Sequence, residues 1–265
     1  TPHEYTRTGE PGQKFGFPLE SAGAALRLAR TLAHIELVGL DMHVGSQVSE
    51  LDIFAQGVER LLELCQAART AGVETLRYLD IGGGLSVPYE REGRPDLSSY
   101  ADIVASAARR SGLEIIVEPG RFLVAECGLL LTRVLYRKAS SGRTILVTDA
   151  GMTELIRPSH YRAYHHIEPL SARGGSLVGD VVGPVCESGD FLALQRSLPD
   201  VLPGDILAVF TVGAYGYCMA SNYNSRTRPC EVVVDGDRYA VATRRESYED
   251  LVRLEAPELE WRAVE

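Results

Sequence analysis

The sequence has no run of apolar residues that approaches the roughly 20 needed to span a bilayer as a helix. Its first residues, Thr1 to Tyr5, lack the apolar core of a secretory signal peptide. The five cysteines are odd in number and form no CxxC pair, which disfavours a disulfide framework and a structural zinc site. We therefore expect a cytoplasmic protein in a reducing compartment, with no bound metal.

Positive charge is also in short supply. The chain has 27 lysine and arginine residues against 36 acidic ones, giving a formal net charge of -9 at pH 7. This balance opposes general attraction to nucleic acid or to an anionic membrane. Only two of the basic residues are lysines, Lys14 and Lys138. The length of 265 residues suits one large domain or two modest ones.

The first half of the chain alternates strand and helix signals. Apolar runs at 35–43, 76–81 and 113–118 predict strands. A helical pattern starts at Leu51 and is expected to end near Gly72, and a second helix is expected between Asp96 and about Arg110. Repeated βα units imply a parallel sheet, in either a barrel or an open α/β fold.

The pattern changes after about residue 128. Apolar runs now alternate with turn sequences such as Ser141-Gly142, Gly183-Pro184 and Asp235-Gly236-Asp237. This pattern is typical of an antiparallel β domain. A short capped helix is expected from Ser247 to Glu255. We therefore predict two domains, residues 1–128 and 129–265.

Three motifs follow the predicted strands of the first domain. They run from His43 to Ser46, from Asp80 to Gly84 and from Glu118 to Arg121. Barrels and open α/β sheets both bind ligands at the carboxyl ends of their strands. These motifs are therefore candidates for one binding site.

Each of these motifs has a functional and a structural interpretation. The backbone N–H groups of Gly82, Gly83 and Gly84 can approach an anion closely, but the triplet can equally form a tight turn. His43 can stack on an aromatic ring or be a structural histidine. Glu118 can stabilise a protonated pyridine nitrogen, or form an ion pair with Arg121 at a helix start.

The second half offers further candidates. Cys186 lies beside Glu187, and nearby negative charge suits a proton donor, although a lone cysteine is more often buried and structural. Arg157 and Tyr161 can bind a carboxylate together, or Arg157 can be a solvated loop residue. The stretch around Tyr215, from Gly213 to Gly216, is a functional loop or a structural turn.

Together, the motifs resemble those of the alanine-racemase-like, fold-type III pyridoxal-phosphate decarboxylases. The resemblance extends from about Gly12 to about Glu255. Its most specific segments are Glu118–Arg121, Asp149–Met152 with Arg157-Pro158, Cys186–Phe191, Gly213–Gly216 and Met219–Ser225.

The resemblance implies a fold and an activity. The fold would be the C-terminal part of an alanine-racemase-like TIM (β/α)8 barrel, with about its last three strands, followed by an antiparallel β-barrel or sandwich domain. The most similar members decarboxylate meso-diaminopimelate to L-lysine and carbon dioxide in lysine biosynthesis. They are homodimers with shared active sites.

The resemblance also implies roles for single residues. His43 would stack on the pyridoxal phosphate ring, and Glu118 would pair with its pyridine nitrogen. Cys186 would protonate the substrate carbanion, acting across the dimer interface, and Glu187 would meet the distal amino group. The phosphate would be held by Ser46, Gly82, Gly83, Gly84, Gly120, Arg121 and Tyr215, and the amino-acid substrate by Arg121, Arg157, Tyr161, Glu187 and Tyr215.

The chain departs from the family at one indispensable group. The Schiff-base lysine lies near the beginning of the family's barrel, whereas Lys14 aligns with a Lys-Phe-Gly element in its middle and Lys138 falls in the β domain. We therefore expect the chain to act with an N-terminal portion that bears the lysine. Two alternatives are a decarboxylase of another amino acid and a lysine-less, non-catalytic homologue that binds pyridoxal phosphate or a partner chain.

Overall fold

The computed structural model describes residues 4–6, 12–90, 92–171, 173–255, 258–259 and 261. The chain divides into two compact units, Thr1–Gly128 and Leu129–Glu265. Each unit has its own hydrophobic core. Within the described residues, no helix has the length and apolarity required to cross a membrane.

The first unit contains a parallel sheet of three short strands with helices in the crossovers. Both strand pairs, β1 with β2 and β2 with β3, are parallel, so their carboxyl ends lie at one edge, as predicted. The α/β character of the fold is confirmed. The elements are α1 (Leu19–Ala29), β1 (Gly39–Asp41), α2 (Leu51–Thr70), β2 (Tyr78–Asp80), α3 (Leu97–Ser111), β3 (Glu114–Ile116) and α4 (Gly120–Val124), after a 3-10 turn at Glu4–Thr6.

Helix α2 forms because one of its faces is apolar at helical spacing. Phe54, Val58, Leu61 and Cys65 recur every three or four residues and are buried. They belong to the same core as Leu79 and Ile81 at the end of β2. Gly72 follows the helix with φ +81°, a left-handed conformation that glycine adopts without strain, as the predicted end of the helix requires.

Helix α3 begins at the predicted capping residue Asp96 and ends one residue beyond the expected end near Arg110. The Asp96 carboxylate accepts hydrogen bonds from the Ser98 backbone N–H at 3.0 Å and from the Ser99 hydroxyl at 2.6 Å. Gly112 ends the helix with φ +67°. The parallel strands β1, β2 and β3 are paired in register, and the three strand-end motifs follow at one edge of their sheet.

The second unit contains a six-stranded sheet in the order β6-β9-β4-β5-β7-β8 and a separate hairpin of β10 and β11. The prediction of a purely antiparallel domain is wrong at one pair: β5 and β7 run parallel. The segment between them contains α5 and β6, and is long enough for the crossover that a parallel pair requires. The elements are β4 (Leu130–Ser140), β5 (Arg143–Thr148), α5 (Arg157–Tyr161), β6 (Ile167–Pro169), β7 (Ser176–Val182), β8 (Phe191–Pro199), β9 (Ile206–Val209), β10 (Glu231–Asp235), β11 (Arg238–Thr243) and α6 (Tyr248–Val252).

The predicted turns connect these strands. Ser141 and Gly142 both have positive φ in the turn between β4 and β5, and Gly236 has φ +61° between β10 and β11. Helix α6 begins with a capping box between Ser247 and Asp250. The turn chemistry read from the sequence therefore matches the observed hairpins.

Candidate active site

The glycine triplet after β2 is required by close packing of the strand ends. A Cβ atom on Gly82 would overlap the Met42 carbonyl oxygen, and one on Gly83 would overlap the Glu118 carbonyl oxygen. A Cβ on Gly84 would overlap the carbonyl oxygen of Gly45. The triplet thus lets the segments after β1, β2 and β3 touch through their backbones, and brings the three motifs into one place.

A buried arginine lies among these motifs. Arg121 is only 9% exposed. Its Nη1 donates to the Tyr89 hydroxyl at 2.8 Å, and its Nη2 donates to Ser46 Oγ at 3.2 Å. A buried guanidinium beside a hydroxyl group suits an anionic ligand, since both can donate to the same oxygens.

Sequence reasoning missed Tyr89, which also lies against the guanidinium in a cation–π arrangement, 6.0 Å from ring centroid to Cζ. The segment that carries Tyr89 is fixed from both sides. The Gln47 side-chain amide donates to the Val87 carbonyl and accepts from the Val87 N–H, each at 2.9 Å. On the other side, the Glu92 carboxylate accepts from the Tyr89 N–H at 3.0 Å. In the sequence, the Pro88-Tyr89 pair shortly after the glycine triplet was the feature that could have indicated Tyr89.

Two of the predicted phosphate donors are engaged within the chain. The Gly82 N–H donates to Asp80 Oδ1 at 2.9 Å, and the Gly120 N–H donates to the Glu118 carbonyl at 2.7 Å. These two glycines therefore shape the turns at the strand ends. The contacts of Gly82, Gly83, Gly84 and Gly120 with a phosphate remain a prediction.

Three carboxylates converge at the same edge. Oxygen atoms of Asp41, Asp80 and Glu118 lie within 4.8 Å of one another, the one such acidic cluster of metal-binding geometry among the described residues. Partial burial, and then the negative charges of Asp80 and Glu118, raise the pKa of Asp41 above its ordinary value. Three carboxylates this close together would be stabilised by a positively charged partner. The side chain of His43, on the loop that follows β1, is exposed.

In the second unit, a buried carboxylate organises the Cys186 loop. Asp190 is 3% exposed, and its carboxylate accepts from the backbone N–H groups of Met152 and Val185, each at 2.6 Å. Its own N–H donates to the Glu187 carbonyl at 3.0 Å. Asp190 therefore fixes the loop that presents Cys186 and Glu187.

Cys186 and Glu187 are both exposed, which excludes the alternative of a buried structural cysteine. A hydrogen bond to the Glu187 carboxylate and the charge of that group raise the pKa of Tyr223. Asn224 Nδ2 lies 4.0 Å from Cys186 Sγ. Sequence reasoning noted this tyrosine-rich loop but did not connect it with Cys186.

Arg157 and Tyr161 lie four residues apart on α5, which puts them on one helix face. Arg157 is 6% exposed, so the alternative of a solvated loop arginine is wrong. Its Nη1 lies 3.0 Å from Nε2 of the buried His165, a partner that the sequence did not indicate. Tyr215, in contrast, is 43% exposed.

An ion pair between the half-buried Arg226 and the buried Glu154 connects two loops of the second unit. Arg226 pairs with Glu154 at 3.1 Å and donates to the Asp149 carbonyl at 2.6 Å. The Glu154 carboxylate also accepts from the Gly151 N–H at 2.7 Å. The Asp149–Met152 turn and the loop that ends at Arg226 are therefore held together.

Comparison with known proteins agrees with these motifs. Residues 1–125 match the model of the pyridoxal-dependent decarboxylase family, pyridoxal binding domain. Diaminopimelate decarboxylase of Haemophilus influenzae is 42% identical over 257 residues, which cover 96% of this chain and 61% of that protein. The chain is therefore similar to pyridoxal-dependent decarboxylases along nearly its whole length.

Solved structures of this family superpose on the chain. Diaminopimelate decarboxylase from Helicobacter pylori, complexed with L-lysine, gives a TM-score of 0.89 at 39% identity, covering 96% of this chain and 63% of that one. A lysine/ornithine decarboxylase from Vibrio vulnificus, complexed with cadaverine, gives 0.73 at 25% identity, covering 80% and 57%. The chain thus spans about three fifths of the length of the relatives it matches.

Proposed function

We propose that the protein carrying this chain is a pyridoxal-phosphate-dependent decarboxylase that converts meso-diaminopimelate to L-lysine and carbon dioxide. The observation that carries the proposal is the convergence of the three strand-end motifs around the buried Arg121. The similarity to enzymes that bear this activity supports it.

The residues at the strand ends fit the cofactor's chemistry. Arg121 and Ser46 offer a cation and a hydroxyl to a phosphate, with Gly83 and Gly84 allowing close approach of backbone to ligand. Gly82 and Gly120 shape the turns that hold these donors. The cluster of Glu118, Asp41 and Asp80 suits a protonated pyridine nitrogen, because that group supplies the missing positive charge.

Pyridoxal phosphate, when bound, supplies an electron sink for the electron pair left on the substrate's α-carbon as carbon dioxide departs. The chain's own residues orient the ring for this. The Glu118 carboxylate would keep the pyridine nitrogen protonated, and the imidazole of His43, which is exposed, would stack on the ring.

Most of the residues proposed to recognise the substrate lie in the second unit, and Arg121 of the first unit joins them. Arg157, with Tyr161 on the same face of α5, binds the distal carboxylate, and Arg121 and Tyr215 contribute further contacts. Glu187 accepts from the distal ammonium group. Since the distal end of meso-diaminopimelate carries both an amine and a carboxylate, it matches this set.

Cys186 holds the proton that replaces carbon dioxide. The bond between the α-carbon and the departing carboxylate breaks, and the Cys186 thiol transfers its proton to the α-carbon. The thiolate then regains a proton from solvent. The exposure of Cys186 on a loop fixed by Asp190 supports this role.

Two partners belong to the proposal. The first is the lysine-bearing N-terminal portion, since both lysines of this chain are exposed and neither belongs to the strand-end motifs. The second is another copy of the protein, because Cys186 and Glu187 are proposed to act in the partner subunit's site of a homodimer. The cytoplasmic location remains a prediction.

The proposal is tested by product analysis with three substrates. The native protein, supplied with pyridoxal phosphate, is incubated separately with meso-diaminopimelate, L-lysine and L-ornithine. We expect L-lysine and carbon dioxide in equal amounts from the first, and little amine from the other two, because neither presents a distal carboxylate to Arg157.

If L-lysine or L-ornithine were decarboxylated faster than meso-diaminopimelate, the substrate of the protein would be that other amino acid. A protein that binds the cofactor yet releases no carbon dioxide from any of the three would contradict the proposal in favour of a non-catalytic homologue. A Cys186→Ala variant adds a control on mechanism: turnover should fall while the absorption spectrum of the bound cofactor stays the same.

A further inference from the structure

Two loops of the second unit meet at Cys186. The first carries Cys186 and Glu187, and the second, the Tyr-Asn loop of residues 221–226, carries Tyr223 and Asn224. The Tyr223 hydroxyl donates to the Glu187 carboxylate, and this hydrogen bond raises the pKa of Tyr223, so the phenol stays protonated as a donor. Asn224 Nδ2 lies 4.0 Å from Cys186 Sγ, within reach of a hydrogen bond to sulfur. Two consecutive side chains of the Tyr-Asn loop therefore contact the two neighbouring residues proposed to act on the substrate.

The backbone of the Tyr-Asn loop has an uncommon conformation. Asn224 and Ser225 both have φ +56°, in the left-handed region that costs energy for residues other than glycine. Asparagine tolerates this region better than most residues. Such conformations persist where the surrounding contacts impose them, and here the turn brings the Asn224 amide to Cys186.

Both ends of the Tyr-Asn loop are attached to the turn at residues 149–154. At one end, the Ser221 N–H donates to the Thr153 carbonyl at 2.9 Å. At the other end, Arg226 Nη2 donates to the Asp149 carbonyl at 2.6 Å. A backbone N–H of the same turn donates at 2.6 Å to the buried carboxylate that fixes the opposite loop. One turn therefore holds both loops in place.

The Asn224 contact bears on proton transfer. When Cys186 gives its proton to the α-carbon, the sulfur is left with a negative charge beside the Glu187 carboxylate, and like charges repel. An amide N–H that donates to the sulfur stabilises this charge, because hydrogen bonds to ionised acceptors are stronger than those to neutral ones. The contact therefore favours release of the proton.

The Tyr223 contact bears on binding instead. A carboxylate offers several acceptor positions, so Glu187 can accept from the phenol and from an ammonium group of the substrate at the same time. The phenol is a neutral donor, so this bond orients the carboxylate without removing its charge. We expect its effect to fall on affinity for the distal ammonium group.

We propose that the Tyr-Asn loop is a positioning element with two separable tasks. Tyr223 aims Glu187 at the distal ammonium group of the substrate, and Asn224 holds an N–H at the sulfur of Cys186 during proton transfer. This inference rests on the proposed function, which supplies the substrate and the proton donor. Both residues act through their neighbours, so each is a positioning residue.

Three variants of the holoenzyme test the inference. Tyr223→Phe removes the hydroxyl alone. Asn224→Gly removes the amide and keeps the left-handed backbone, which glycine adopts without strain. Ser225→Gly is the matched control, since it makes the same backbone change at the next exposed residue and leaves both contacts in place. Thermal unfolding of each variant measures its stability.

For Y223F, we expect the KM of meso-diaminopimelate to rise about tenfold and kcat to stay within about twofold, because a hydrogen bond to a charged group is lost. Calorimetric binding of two ligands isolates the cause. L-Lysine carries the distal amine, whereas 6-aminohexanoate has the same chain and carboxylate without that amine. The Kd of L-lysine should rise about tenfold, and that of 6-aminohexanoate should stay within about twofold.

For N224G, we expect the opposite split. The kcat should fall about tenfold, while the KM and the Kd of L-lysine stay within about twofold. The ratio of kcat in H2O to kcat in D2O should rise, since transfer of the Cys186 proton then limits turnover more strongly. S225G should match the wild-type protein in all of these measurements.

Parallel changes of KM and kcat in Y223F and N224G would overturn the inference, because a loop that merely supports the fold predicts them. Losses in S225G equal to those in N224G would do the same, as would equal losses of affinity for L-lysine and 6-aminohexanoate in Y223F. If N224G does not fold, Asn224→Asp decides: it keeps the size of the side chain but puts a carboxylate at the sulfur, so an unchanged kcat would overturn the inference.

Failure of the proposed function has a different result. A wild-type protein inactive towards meso-diaminopimelate overturns the proposed function and this inference with it. An active wild-type protein whose Y223F and N224G variants are unchanged overturns this inference alone.

Discussion

At the scale of single residues, the candidate site depends on pairs in which one side chain orients another. Arg121 is held by Tyr89, Arg157 by His165, and the Cys186 loop by Asp190. The oriented member of each pair is visible in a sequence motif. Tyr89 and His165 lie outside those motifs, so their roles depend on the folded geometry, whereas Asp190 belongs to the same segment as Cys186.

Tyr89→Phe removes only the hydroxyl that accepts from Arg121. We expect the Kd of pyridoxal phosphate to rise about tenfold, because one hydrogen bond to a buried charge is lost while the Ser46 contact remains. Fluorescence titration of the cofactor-free protein measures this. Tyr136→Phe, at an exposed position of β4, is the control, and equal Kd values for the two variants would show that Tyr89 does not act through Arg121.

Asp41→Asn is expected to stabilise the cofactor-free protein at neutral pH. Because the folded state raises the pKa of Asp41, it holds the proton more tightly than the unfolded chain. Stability therefore falls as the pH rises past the ordinary aspartate pKa and remains lower above the folded pKa. Thermal unfolding at several pH values should give a Tm advantage at neutral pH that disappears at acid pH.

The control for this prediction is Asp102→Asn, which removes the same charge from an exposed position of α3. A stability gain of equal size in both variants, or one that persists at acid pH, would contradict the proposed effect of the carboxylate cluster.

Sequence reasoning predicted His43, Ser46, Glu118 and Arg121 because each belongs to a local motif with clear chemistry. It could not predict the cluster of Asp41 with Asp80, because that pair is formed by neighbouring strands in register. His165 was missed for a similar reason: its partner Phe210 follows a strand far along the chain.

At the scale of elements, the strand ends are joined through glycine. The three strands themselves are short, and the loops after them pack backbone against backbone. The parallel arrangement, the helix caps and the hairpin turns could be predicted because they depend on local periodicity and on residues such as Asp96 and Gly72. The parallel pairing of β5 with β7 could not, since it depends on which strands meet after a long crossover.

Gly83→Ala tests whether backbone contact holds the site together. Its new Cβ would overlap the Glu118 carbonyl oxygen, and such overpacking costs about 1–3 kcal/mol of the free energy of unfolding. Chemical denaturation measures the loss, and the affinity for pyridoxal phosphate should fall as well, because Glu118 must move.

Gly93→Ala is the matched control. A Cβ at Gly93 has no atom within 4 Å, so this variant should be neutral or more stable by about 0.4–1 kcal/mol. If the two alanine variants had the same stability and cofactor affinity, the close approach at Gly83 would have no role.

At the scale of the whole molecule, the chain consists of two units with separate cores. The first carries most of the residues proposed to hold the cofactor, and the second carries Tyr215 and most of the residues proposed to recognise the substrate and donate the proton. Composition and periodicity predicted both units, since the change from βα units to β hairpins is visible along the chain.

We propose that this chain forms the phosphate and pyridine side of a pyridoxal-phosphate site whose lysine comes from another segment. The direct measurement is to treat the native protein with borohydride, which fixes the cofactor to its lysine, and to locate the label by peptide mass spectrometry. We predict one labelled lysine per site, lying outside this sequence. A label on Lys14 or Lys138, or a native protein that binds no cofactor, would contradict the claim.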